Sequence, residues 1–262
     1  MMKAFVFAAL IGGACTSALA QTDVLYVTDP FSTNQLNRFQ GGSTLSQTGM
    51  VSGYADESAL AVAGDVRTMA YGGLGSIQGY QYDLSGSYLG TTYAWNGPGS
   101  WYDGTTDGTK NYSVAVSSGD VYSFDRDWQS PTYLFTTESS GGFGITYDGK
   151  NKSLWVTNTS TGFIQEYDFA GGLLSSFSIG GSGVGAYAGL AWEPSTDTLW
   201  LAGGGYSPYE QYSKTGTLLD TVSPSGLSGP VGFYGAEFDI PAPGSLALLG
   251  LGGFAAARRR RM

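Results

Sequence analysis

The chain contains no histidine, and its one cysteine, Cys15, lies within the first twenty residues. Without histidine there is no imidazole base and none of the commonest zinc ligands. With cysteine confined to that leading stretch, the rest of the chain has no thiol nucleophile, no disulfide and no thiolate metal site. Charge is also scarce, at 13% of residues, and positive charge scarcer still. Between Asp23 and Asp239 seven basic residues stand against 21 acidic ones, a formal charge of −14. Such a body repels phosphate backbones and anionic membrane surfaces, which excludes nucleic acid as a partner. No stretch between the termini keeps a helical period, and no polar tract is long enough for a disordered domain. Carboxylates are the catalytic groups that remain.

What is abundant is glycine, 42 residues, and aromatic side chains, 14% of the chain. This is the composition of a turn-rich all-β protein. Residues 144–179 read as four short strands with side chains alternating at a period of two, broken at Asp148-Gly149, Thr161-Gly162 and Gly171-Gly172. Shifted by 45 residues, the window falls without a gap on a second copy, with identities at Gly189, Leu199, Trp200, Tyr212, Gly216, Leu218, Leu219 and Ser223. The third-strand aromatic then recurs at Phe39, Tyr82, Phe124, Tyr167 and Tyr212, at spacings of 43, 42, 43 and 45. Four strands per unit at this period predict a β-propeller.

Five units can be counted: 23–50 with 235–240, then 57–93, 99–138, 144–179 and 189–223. In the third, WYDG at 101–104 is set against TYDG at 146–149; in the second, the first strand is placed at 58–64. The first unit begins with LYVTD, which matches the second strand LWVTN of the fourth unit, so it lacks a first strand of its own. GAEFD at 235–239 repeats the first-strand pattern and supplies it. The expected fold is therefore all-β, a single five-bladed β-propeller over 21–240, closed by a C-terminal strand that completes the first blade. In repeat style it resembles NHL-repeat and gluconolactonase-like propellers, without recognisable counterparts of their metal or lactonase residues.

Both ends carry addresses. Lys3, the apolar run Ala4 to Ala14 and Ala18-Leu19-Ala20 form a secretory signal over 1–20; a lipoprotein site at Cys15 is the competing assignment, and Gly12 stands where such a site has Leu. Residues 241–262 read as a Pro-rich break, an apolar run Ser245 to Ala257 expected as a short helix, and Arg258 to Arg261. Thirteen residues fall short of the about 20 that span a bilayer, but they can halt in it with the arginines on the cytoplasmic side. A terminal core helix with a basic tail is disfavoured by Gly250, Gly252 and Gly253. The order resembles the PEP-CTERM sorting tails, with Pro241, Ala242 and Pro243 as the Pro-x-Pro motif and Arg258, Arg259, Arg260 and Arg261 as the cluster. Ala242 replaces the usual central glutamate. The resemblance implies an exosortase-type processing enzyme, transient inner-membrane insertion through the tail, and a cell-surface or extracellular destination in a producer of extracellular polysaccharide.

Two sets of residues invite a functional reading. Asp65, Asp103, Asp148, Glu193 and Asp239 follow the innermost strand in each unit, and could form a Ca²⁺-binding ring or a glycosidase acid-base pair. As turn residues they would instead satisfy local backbone groups. Tyr82-Asp83, Phe124-Asp125 and Tyr167-Asp168 are expected to combine packing with a turn, and Trp155 and Trp200 to fill the spaces between blades. On the opposite rim, glycine-rich loops carry Phe31, Trp95, Trp101, Tyr187, Tyr206 and Tyr209, a candidate binding face for a sugar or peptide. The functional expectation is an exported, non-enzymatic interaction module, with polysaccharide or a surface protein as partner; the alternative is a secreted carboxylate-dependent glycosidase.

Overall fold

The computed structural model describes residues 23–30, 32–52, 57–71, 78–94, 99–138, 140–180, 188–203, 208–227 and 232–240. Their twenty elements are all strands, arranged as five four-stranded antiparallel sheets. Blade one takes β1 (Leu25–Asp29), β2 (Gln35–Gln40) and β3 (Ser43–Gly49); blade two takes β4 (Glu57–Val62), β5 (Val66–Ala70), β6 (Gln78–Tyr82) and β7 (Tyr88–Ala94). Blade three holds β8 (Gly104–Thr106), β9 (Asn111–Val114), β10 (Asp120–Phe124) and β11 (Thr132–Thr136). Blade four holds β12 (Gly142–Asp148), β13 (Ser153–Asn158), β14 (Phe163–Tyr167) and β15 (Leu173–Ser178). Blade five holds β16 (Ala188–Glu193), β17 (Thr198–Gly203), β18 (Tyr209–Tyr212) and β19 (Leu218–Val222), and β20 (Ala236–Phe238) returns to blade one. There Leu25 lies opposite Phe238 and Val27 opposite Ala236, the closure expected from the missing first strand. The ring thus hides the inner edge of blade one, which would otherwise be an open template for pairing.

Within a blade the strands meander outward, so one rim of the disc carries the first-to-second and third-to-fourth strand turns. The other carries the second-to-third loops and the crossings between blades. The turn rim is built by repetition. Asp83 Oδ1 accepts N–H bonds from Ser85 and Ser87, Asp168 Oδ1 from Ala170 and Gly172, and Ser213 Oγ from Thr215 and Thr217. In each case the chain then turns through a glycine in the left-handed region: Gly86, Gly171 and Gly216 at φ 90°, 85° and 86°. The aspartates at 83 and 168 are thus turn residues, as their position predicts.

The core is five seams rather than one centre. The aromatic ruler Phe39, Tyr82, Phe124, Tyr167 and Tyr212 is buried throughout. Trp155 packs with Leu199 and Leu201 between blades four and five, and Trp200 with Leu25, Ala236 and Phe238 between blades five and one. Each indole also finds a polar partner seven residues upstream: Trp155 Nε1 donates to Asp148 Oδ2 at 3.3 Å and Trp200 Nε1 to Glu193 Oε2 at 2.9 Å.

Candidate functional site

The innermost strands meet at the axis with little room between them. Counted from the turn rim, one register position holds Ala59, Asp103, Gly144, Gly189 and Gly235, four residues with a methyl group or less and one carboxylate. A Cβ on Gly235 would stand 2.5 Å from the Ser58 carbonyl oxygen, and one on Gly189 2.8 Å from the Ala236 methyl. The space therefore admits a single side chain, that of Asp103, which is fully buried. Its Oδ1 accepts N–H bonds from Gly104 at 2.9 Å and Ala236 at 2.9 Å; its Oδ2 accepts from Ile145 at 3.0 Å and Leu190 at 2.8 Å. One carboxylate thus ties blade three to blades four, five and one, in the manner of a backbone anion nest. Blade two joins through hydroxyls: Thr28 Oγ1 donates to the Ser58 carbonyl, and Ser58 Oγ to the Tyr102 carbonyl at 3.0 Å. Burial pushes the Asp103 carboxyl well above its ordinary value, and the four donors offset only part of that rise. Every polar neighbour named for its oxygens is a donor, so the geometry fits the carboxylate.

Two residues further along the strands, Thr105, Thr146 and Glu237 form the next layer. Thr146 Oγ1 donates to Glu237 Oε1 at 3.4 Å, while Glu237 Oε2 has no hydrogen-bond partner among the described residues. Burial pushes the Glu237 carboxyl well above its ordinary value; Thr105 and Thr146 oppose this, and the charge of Asp103 adds to it. A buried carboxyl with neither an ion pair nor a set of backbone N–H donors takes the neutral form. The axis is filled by two carboxyl groups, both closed to solvent.

The other four acidic residues do not join Asp103 there. Asp148 accepts N–H bonds from Lys150 and Asn151, both at 3.0 Å, and lies 2.6 Å from Lys214 Nζ across the seam to blade five. Glu193 holds Thr196 Oγ1 at 2.6 Å within its own turn. Asp65 pairs with Arg67 at 2.9 Å and with Arg126 of blade three at 2.7 Å, and Asp239 accepts from the Gly64 N–H at 3.0 Å. Among the described residues no group of three or more acidic side chains is placed to hold a metal ion. Asp103 also corrects the blade-three register. It precedes β8 rather than following it, and the counterpart of Asp148 is Asp107, whose Oδ1 accepts from Thr109 and Lys110 N–H, both at 2.7 Å. The resemblance of WYDG to TYDG misleads by four residues, because TTDG at 105–108 is the segment that turns into β9.

Above the axis on the loop rim lies an aromatic cap that sequence reading missed. Tyr102, Phe143 and Tyr234 each stand one residue before the axial position of their strand. Tyr102 stacks on Phe143 at 4.4 Å and on Tyr234 at 5.2 Å between ring centroids, and Tyr71 adds a fourth ring 4.7 Å from Tyr102. The Tyr102 hydroxyl donates to that of Tyr71 at 3.0 Å. Three tyrosines at intermediate exposure over a sealed channel present flat apolar faces edged with hydroxyls, a surface suited to a sugar ring or a peptide. Two residues expected on this face are elsewhere. Trp101 is fully buried against Tyr122 and Phe124, each 5.6 Å away, and Tyr209 is fully buried against Phe39 at 5.1 Å and Phe233 at 5.4 Å. Both open or precede a strand whose inner face needs a large ring. Phe31, Trp95, Tyr187 and Tyr206 lie outside the described residues, as do Pro241, Ala242, Pro243, Arg258 to Arg261 and the expected C-terminal apolar helix.

Comparison with known proteins adds a destination and a fold. Residues 239–261 match the PEP-CTERM protein-sorting motif. The motif entails export across the inner membrane, recognition by an exosortase-type enzyme, and a surface or extracellular location after processing. No curated protein matches the chain in sequence. Among solved structures, a chain from the crystal structure of a nidogen/laminin complex is similar, at 14% identity and a TM-score of 0.56, covering 83% of this chain and 98% of that one. The glutaminyl cyclase of Myxococcus xanthus is similar at 17% identity and a TM-score of 0.51, covering 80% of each chain. Identities this low establish the propeller fold alone.

Proposed function

We propose that the protein is an exported surface or matrix component whose propeller is a non-enzymatic interaction module, with exopolysaccharide as its partner and the loop rim as its binding face. The observation that carries this reading is the sealed axis. The position where many ring-shaped proteins keep a channel is filled by Asp103 and Glu237, and neither carboxyl can meet a substrate. Binding is then left to the rims, and of the two the turn rim is committed to short hydrogen-bonded turns and ion pairs. The loop rim has the aromatic cap and the longer connections. The point where the sorting motif begins supports the same orientation. Ile240 N donates to the Val62 carbonyl at 3.4 Å on the turn rim, so a chain held by its tail turns the loop rim away from the membrane.

Fractionation of the producing cell tests the proposal. The protein is expected in the cell-surface polysaccharide fraction, released when the polysaccharide is digested, and Tyr102→Ala is expected to weaken its retention. Equal release of the protein from cells with and without polysaccharide would overturn it.

A further inference from the structure

Blade four carries a groove at a position that blades one and three fill with a long side chain. The equivalent cross-strand pairs between third and fourth strands are Asn37–Gln47, Tyr80–Thr92, Tyr122–Tyr133, Gln165–Ser176 and Glu210–Thr221. In blade one the long Gln47 covers its neighbours, donating to Gln35 and Asn37 at 3.0 and 2.9 Å, and in blade three Tyr133 packs 5.7 Å from Tyr122. Blade four has only a serine there. What opens beside Ser176 is a groove of about 290 Å³ lined by Glu138, Thr161, Phe163, Gln165 and Ser176.

The lining is organised. Gln165 is 93% buried and its Nε2 donates to Glu138 Oε2 at 3.0 Å, while the Glu138 N–H donates to the Tyr167 hydroxyl at 3.2 Å. These bonds hold a carboxylate and an amide side by side, with one oxygen of each unused by any described residue. Phe163 offers a ring at 37% exposure, and Thr161 and Ser176 add hydroxyls. Two adjacent acceptors beside an aromatic face match the adjacent hydroxyls and the C–H face of a pyranose. The volume lies at the small end of ligand pockets, which run from about 300 Å³, enough for a sugar unit of a chain that continues past it. The charge selects further. A body at −14 with Glu138 in the groove repels a uronic-acid polymer.

Resting on the interaction-module reading, we infer that the groove between blades three and four binds one unit of an uncharged polysaccharide, with Phe163 as the stacking face and the Glu138–Gln165 pair as hydroxyl acceptors. Calorimetric titration of the full chain with cellohexaose, mannohexaose, xylohexaose and hexagalacturonate tests it. At least one neutral hexasaccharide is expected to bind and hexagalacturonate is not. Phe163→Ala should weaken binding by about three- to tenfold, and Ser176→Gln, which installs the blade-one side chain, should abolish it. Both positions are exposed, so unchanged thermal unfolding of the variants checks that the fold is intact. If the unaltered chain binds a neutral hexasaccharide and both variants bind it equally well, the groove assignment is wrong while the interaction module stands. If the unaltered chain binds none of the three, the polysaccharide partner falls and the groove with it. Binding of hexagalacturonate as tight as that of a neutral sugar would also overturn the inference.

Discussion

At the residue scale the propeller depends on one side chain to an unusual degree. Asp103 is the common acceptor of four backbone N–H groups drawn from four sheets, at an axis where an added Cβ on Gly189 or Gly235 would collide with its neighbours. Asp103→Asn keeps the shape but turns an amide N–H₂ toward N–H donors, at an expected cost of about 2–4 kcal/mol. Asp103→Ala strands all four donors and is expected to leave little folded protein, given total stabilities of about 5–15 kcal/mol. Urea unfolding measures both, and an alanine variant as stable as the parent would contradict the role assigned to this residue. Glu237 predicts a pH dependence of definite sign. Burial raises its carboxyl above the ordinary 4.5, so the folded chain keeps a proton that the unfolded chain has released once the pH passes that value. Stability contributed by this group is complete below about pH 4.5 and is lost as pH rises toward the folded value, with a slope of about 1.4 kcal/mol per pH unit. Glu57, buried beneath the Tyr82 and Thr68 hydroxyls, is raised in the same direction by burial. Glu237→Gln should therefore match the parent in melting temperature near pH 4.5 and exceed it progressively up to pH 8. Parallel curves across that range would mean that Glu237 is not held protonated.

At the element scale the repeat explains both what was readable and what was not. The 45-residue offset between blades four and five, the aromatic ruler and the borrowed first strand depend on local alternation and turn chemistry, which a single sequence displays directly. The blade-three register was hidden because two Asp-Gly pairs stand four residues apart, at 103 and 107, and only strand pairing decides which one turns. The aromatic cap was hidden differently. Tyr102, Phe143 and Tyr234 occupy one repeat position, but their value lies in contact across blades that the sequence separates by up to 132 residues. Trp101 and Tyr209 misled in the opposite sense, since a ring beside a glycine-rich loop reads the same whether it faces inward or outward. The third-to-fourth strand turns supply a test at this scale. Gly171 adopts a positive φ, and a Cβ on it would approach the Phe135 side chain of the preceding blade to 2.6 Å. Gly216 meets Phe177 at 2.7 Å in the same way. Alanine at either position adds backbone strain to a blade-to-blade clash, for a loss of about 1–3 kcal/mol each. Gly162→Ala is the control for strain without collision, having a positive φ but open space. Its loss should be the smaller of the two in chemical denaturation; equal losses would remove seam packing from the explanation.

At the scale of the whole molecule, fold and sorting share a boundary. The strand that closes the ring ends at Phe238, and the sorting motif begins at Asp239, whose carboxylate still binds the Gly64 N–H of blade two. Processing of the tail must therefore spare Ala236–Phe238, since that strand carries both the Ala236 donor to Asp103 and the Glu237 acid. Charge separates the two parts as well: the body is strongly acidic, whereas the tail ends in Arg258 to Arg261. An apolar run followed by arginines is expected to be held at the inner membrane until it is cut, because moving four guanidinium groups through the bilayer is costly. The mature protein is accordingly expected to begin at or near Gln21 and to lack Ser245 to Met262, with recognition around Pro241 to Pro243. Intact-mass measurement of protein recovered from the producing cell reads both ends at once. A mass retaining Arg258 to Arg261 would mean that the Pro-Ala-Pro variant of the motif is bound without being cut, leaving the propeller tethered. A lipid on Cys15 would replace the cleaved signal by an anchor at the opposite end of the chain. Neither result would turn the propeller over, because Asp23, which accepts from the Ser195 N–H at 3.2 Å, and Ile240 both leave from the turn rim; each would show instead which end of the chain holds the protein at the membrane.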